Sequence, residues 1–164
     1  MKILPVLVAL TISGCMHIFH HDEDAAATQA IEYAKVAFIA HDNVAGYNLL
    51  ADQVKKIGTV EQYAQVVAQM HPNGFPTTVT ATQFEPIPGQ PALNIILVGK
   101  NGDQNFFYLF TMLGTADSGY KVGRVVRGNE PYLGSPSIHG TKMLQSFKKS
   151  HTAAVRKQRE EVDA

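Results

Sequence analysis

The sequence predicts an α+β fold, with helices first and an antiparallel sheet after them. Two observations carry this reading. Apolar residues recur at three- and four-residue steps as far as His71, then at two-residue steps beyond Pro76. The residue types change with the period, because the second block is rich in the Val, Ile, Thr, Phe and Tyr that fit a pleated surface. A block of helices followed by a block of strands segregates the two layers.

The first fourteen residues stand outside this plan. Lys2 supplies a positive start, Ile3 to Ile12 form an apolar run broken only by Pro5 and Thr11, and Ser13 and Gly14 follow. That is the anatomy of a signal peptide. At 1.5 Å per residue the run reaches only about half of a bilayer core, too short for a spanning helix. The order Ile12-Ser13-Gly14-Cys15 resembles a bacterial lipobox, in which the next Cys accepts diacylglycerol. The resemblance implies that Cys15 is the lipidated amino terminus of the mature protein and its anchor to the membrane. Cys15 is the sole Cys of the chain, so no intramolecular disulfide is available. Met16 rather than Asp follows it, which in enteric-type bacteria implies the outer membrane, facing the periplasm.

Residues 15–24 are polar and aperiodic and read as a tether, able to hold the domain roughly 30 Å from the lipid. His17, His20 and His21 beside Asp22, Glu23 and Asp24 are ligand types that zinc or copper can use. A flexible tether fixes no tetrahedral geometry, so no metal and no other cofactor is expected.

From Ala25 to His41 the residues Ala30, Ile31, Tyr33, Ala34, Ala37, Phe38 and Ala40 make a broad helical face, the longest helix expected. Asp42 and Asn43 interrupt it and can cap a second helix through Val44, Tyr47, Leu50, Ala51 and Val54, ended by Gly58. Thr59 and Gln62 form a capping box for a third helix, whose stripe holds Val60, Tyr63, Ala64, Val67, Met70 and His71. Pro72, Asn73, Gly74 and Pro76 stop it.

Four strands follow, Thr77 to Phe84, Ala92 to Gly99, Asn105 to Leu113 and Tyr120 to Arg127. Asn101-Gly102 predicts a type I′ hairpin, and Asp117-Ser118-Gly119 marks the next reversal. The middle strands are apolar on both faces, with Phe106, Tyr108, Phe110 and Met112 on one side and Phe107, Leu109 and Leu113 on the other. The second face needs a pocket, a partner or a tail to cover it. Arg124 and Arg127, alternating with Val125 and Val126, read as an exposed strand edge. Residues 129–164 read as a loop and a mobile, charged helix over Thr152 to Val162.

The run Ala37-Phe38-Ile39-Ala40-His41-Asp42 leading to Ala45-Gly46-Tyr47-Asn48-Leu49-Leu50 resembles the junction of the first two helices in the nuclear transport factor 2-like (cystatin-like cone) superfamily. Phe107-Tyr108-Leu109-Phe110 with Gly119-Tyr120-Lys121-Val122 is similar to that superfamily's closing strands. Over residues 25–128 the resemblance implies three amino-terminal helices packed on a curved, four-stranded antiparallel sheet. The cone so formed can hold a small apolar ligand, and its outer sheet face often dimerises. Enzymes of the superfamily place Asp, His or Tyr inside the cone for proton transfer.

This chain offers little for that chemistry. Glu85, Asp103 and Asp117, the acids between Thr77 and Arg127, fall at predicted turns, and no His occurs from Pro72 to Ile138. A general base must lie within hydrogen-bond reach of its substrate. What remains is His41, Asp42 and Tyr47 at the helix junction, His71 closing the third helix, and Tyr108 in the aromatic strand. His41 could be oriented by the Asp42 carboxylate. With 14 basic and 14 acidic residues the chain has no electrostatic reason to bind nucleic acid. The expected role is a non-catalytic binding or assembly module, which could pair with itself through the sheet face or take a small apolar ligand. The alternatives are a proton-transfer enzyme, of isomerase or dehydratase type, using His41 and Asp42, and an adaptor docking a partner through its carboxy-terminal helix.

Overall fold

The computed structural model describes residues 19–132 and the backbone of Lys142 and Met143. The signal segment, Cys15 and the expected carboxy-terminal helix lie outside the described residues. The fold is α+β. Helix α1 spans Glu23–Ala34 and runs directly into a π turn, Lys35–Ile39, in which the Ala40 N–H donates to Lys35 O at 2.8 Å. Next come α2 (Asn43–Asn48), α3 (Asp52–Lys55) and α4 (Val60–Met70). Strands β1 (Thr78–Pro86), β2 (Ala92–Asn101), β3 (Gln104–Thr115) and β4 (Gly119–Gly128) follow, and the two-residue β5 (Lys142–Met143) joins the free side of β1. The sheet order is β4-β3-β2-β1-β5, antiparallel throughout.

The amino-terminal boundary differs from expectation. Residues 20–24 belong to the domain rather than to a tether. The Asp22 carboxylate caps α1 by accepting from the Ala25 N–H at 2.9 Å, the Asp22 N–H donates to Tyr120 Oη at 2.8 Å, and His20 O accepts from the Ala116 N–H at 3.0 Å. An acidic first turn, Glu23 and Asp24, suits the positive end of the helix dipole.

The expected second helix is two. Residues 49–51 are drawn out against β4, where the Ala51 N–H donates to Val122 O and the Val122 N–H to Leu49 O, and this splits α2 from α3. The capping box of α4 forms as read, with reciprocal Thr59 and Gln62 contacts. The β2–β3 turn is centred one residue later than expected. Asn101 pairs with Gln104, and the two turn residues are Gly102 and Asp103, with a positive φ at Gly102 alone, the pattern of type II′ rather than I′. Residues 129–143 are not all loop, since β5 falls among them.

α1 and the π turn lie across one face of the sheet, α1 touching all four long strands. Tyr33, Phe38, Phe106, Tyr108, Phe110, Leu93, Ile95, Leu97 and Met112 are each at most 2% exposed. Burying a side chain of this kind contributes about 1.5–3 kcal/mol, so this seam is the main source of stability. Two bulges adjust the sheet to the helices. The β1 register shifts between Ala81 and Gln83, and the β3–β4 register at Gly123, where Val122 pairs with Met112 but Arg124 with Thr111. Each bulge bends its strand and changes which parity of residue faces inward. Gly123 has no room for more, because a Cβ there would lie 2.5 Å from Leu113.

Candidate functional site

The chemistry-bearing residues gather where the end of α4 meets β3. The chain reverses at Pro72–Gly74, with Gly74 at φ 95°, and this brings His71 under the sheet, 4% exposed. Its Nδ1 lies 2.8 Å from Val67 O and its Nε2 2.8 Å from Tyr108 Oη. A carbonyl only accepts, so Nδ1 carries the proton and the bare Nε2 accepts from the Tyr108 hydroxyl. The ring stacks on Phe75 at 4.4 Å between centroids and lies 4.7 Å from Phe38.

Arg127, read from sequence as an exposed edge, turns inward. The Gly123 bulge changes the parity of β4, so Val125 and Arg127 face the helices while Arg124 and Val126 face away. The Arg127 guanidinium donates to Met70 O at 2.6 Å and sits 4.8 Å from the centroid of the Phe106 ring. It therefore caps a terminal carbonyl of α4 and rests on an aromatic face. Burial lowers the His71 pKa below the ordinary value, and the nearby charges of Arg127 and His41 push the same way against the opposing pull of Val67 O. Burial raises the Tyr108 phenol well above its ordinary range. At neutral pH both groups are uncharged. A His acceptor bonded to a Tyr donor could relay a proton in principle, but with 4% and 1% exposure neither offers a substrate a surface.

The helix junction is arranged differently from the expected pair. His41 occupies the left-handed region at φ 57°, closing the π turn while the Asp42 N–H reaches back to Val36 O. That is a left-handed ending one residue wider than a Schellman motif, matching the wider π turn, at a position where Gly is usual. The His41 ring packs edge-on against Phe75 at 4.4 Å. The Asp42 carboxylate accepts from the Ala45 N–H at 2.9 Å as the cap of α2, so its bond goes to the backbone rather than to His41. Tyr47 Oη lies 2.9 Å from Lys55 O and 2.7 Å from Gly58 O, tying α2 to the last residue of α3 and to the loop after it.

Glu85 was expected at a turn, but β1 continues through it, and it is 4% exposed on the sheet face away from the helices. It shares a cross-strand row with Asn94 and Thr111, whose hydroxyl donates to Asn94 Oδ1 at 2.9 Å. The Tyr132 hydroxyl donates to Glu85 Oε2 at 3.4 Å. Residues 129–132 thus lie over the outer face, where Pro131 and Tyr132 wall a groove of about 600 Å³ with Phe107, Leu109 and Val126.

A second groove, about 440 Å³, runs between α2, α3 and α4, with Leu50, Val54, Tyr63 and Val66 in its walls and Ile57, 84% exposed, at its rim. Beneath it α2 and α4 meet closely at Gly46, where a Cβ would lie 2.5 Å from Tyr63 Oη. Among the described residues no cluster of three or more His, Cys, Asp or Glu could hold a metal ion, and no helix is long and apolar enough to cross a membrane. His20 and His21 are engaged at the start of α1, His21 Nδ1 lying 3.4 Å from Tyr120 Oη.

No protein-family model matches this chain, and neither does any curated protein or solved structure.

Proposed function

We propose that the chain is an envelope lipoprotein, anchored to the outer membrane through Cys15, whose domain follows the nuclear transport factor 2-like cone plan and acts as a non-catalytic binding or assembly module. One observation carries the non-catalytic part. The space between α1 and the sheet, where a cone would hold a ligand, is filled by Tyr33, Phe38, Tyr108 and Phe110, each at most 2% exposed. What the domain offers instead is on its outside, the two grooves with Ile57, Val66 and Val126 exposed beside them. His41, Asp42 and Tyr47 are taken up in ending, capping and joining helices, which favours the binding reading over proton transfer.

The lipobox order supports the anchor, and a triacylated terminus holds far more firmly than a single chain, at about 0.8 kcal/mol per buried methylene. Replacing Cys15 with Ser should move the protein from the membrane fraction to the soluble one and abolish labelling by fatty acid. A Cys15→Ser chain that still carries labelled acyl groups ends this reading.

A further inference from the structure

We propose that the His71–Tyr108 pair is an acid-sensitive latch, and that protonating His71 releases the end of α4 and the Pro72–Thr77 reversal from the sheet. The geometry defines the closed state as the neutral one. Both ring nitrogens are used, Nδ1–H by Val67 O and the Nε2 lone pair by the Tyr108 hydroxyl, each at 2.8 Å. A second proton on Nε2 would point at Tyr108 Oη. The phenol would then have to turn its own hydrogen elsewhere, toward a side where it packs on the Phe38 and Phe110 rings and where the nearby charge is the Arg127 cation.

Among the groups around the ring, the Val67 carbonyl alone favours the new charge, and it is already bonded to Nδ1 in the neutral state. The π turn contributes Phe38, the helix junction His41, the reversal Phe75, β3 Phe106 and Tyr108, β4 Arg127, and α4 the Val67 carbonyl. Two of these groups, Arg127 and His41, repel a cation, and among the described residues no carboxylate acts on the ring. A buried imidazolium would be a desolvated charge without a counter-ion.

The sign follows from linkage. Because the folded pKa lies below the unfolded one, the open or unfolded chain binds more protons as pH falls below the ordinary His range near 6.5. Stability contributed by the closed pair is fully present above that range and is lost on acidification, until the folded pKa is passed.

Amide hydrogen exchange of residues 60–77 in the full-length chain, each rate taken relative to its intrinsic value, tests this between about pH 7.5 and about pH 5. Opening should rise with acidification by up to about tenfold per pH unit within the window. His71→Phe, a ring that cannot titrate, should remove that rise. Because this variant leaves the Tyr108 hydroxyl without its acceptor, ring nitrogen shifts of His71 in the unaltered chain give a second reading. They should show a protonated Nδ1 and bare Nε2 at neutral pH, with the imidazolium appearing as the segment opens. No change in exchange down to about pH 5, an imidazolium within a segment still fully protected, or an undiminished response in His71→Phe would each overturn the latch.

Discussion

Neighbouring residues of β3 meet two different environments. On the helix side Phe106, Tyr108, Phe110 and Met112 are at most 1% exposed, while on the other side Phe107, Leu109 and Leu113 stay partly open beside a polar row of Glu85, Asn94 and Thr111. Both sides are apolar in sequence, yet one is sealed by α1, the π turn and, through Val67 and His71, the end of α4, and the other is crossed by residues 129–132. Apolar content therefore says that a face wants cover, and the rest of the chain decides how complete that cover is.

The largest test of this contrast is on the sealed side. Phe38→Ala removes a fully buried ring held between Tyr33, His71 and Tyr108 and should cost about 3–5 kcal/mol, read as a lower midpoint in chemical denaturation. Leu109→Ala, on the open side, gives up only part of its transfer energy and should cost about 1 kcal/mol in the same measurement. Equal losses would mean that the outer face is as tightly closed as the inner one. The smallest effect is expected at the rim, where His41 holds φ 57°. His41→Gly should relieve a left-handed conformation and raise stability by about 0.5 kcal/mol, since an L side chain there costs about 1–2 kcal/mol and Gly returns part of that in backbone entropy. A loss of stability instead would assign the His41 ring on Phe75 to the sealed region.

The strands were legible because period two and β-branched or aromatic types coincide, and all four long ones lie within three residues of their expected ends. The capping box of α4 was legible for a similarly local reason. The misreadings have non-local causes. The break between α2 and α3 comes from Leu49–Ala51 pairing with Val122, some seventy positions away. The inward turn of Arg127 comes from one extra residue at Gly123, which reverses the parity that alternation would predict. The start of α1 at Glu23 had a local signal in Asp22, but the mixed His and acidic composition read as linker, and docking on Tyr120 is what holds it. His71 continues the apolar stripe of α4 as its buried C-cap. Its bond to Tyr108 depends on the reversal at Pro72–Gly74, which no periodicity encodes.

The docking of His20–Asp22 on the β3–β4 end of the sheet would set the length of a leash if the proposed anchor is in place. If lipid is attached at Cys15, four residues separate it from the hydrogen-bonded His20, and the five Cα-to-Cα steps between them can span at most about 16 Å. The domain could then swivel but not wander. A partner in the same leaflet would be met by lateral diffusion at a nearly fixed height, at an effective concentration set by the membrane plane rather than by the surrounding volume. Grooves of modest intrinsic affinity would suffice under that confinement. Lengthening the segment before His20 would weaken such encounters while leaving the fold untouched.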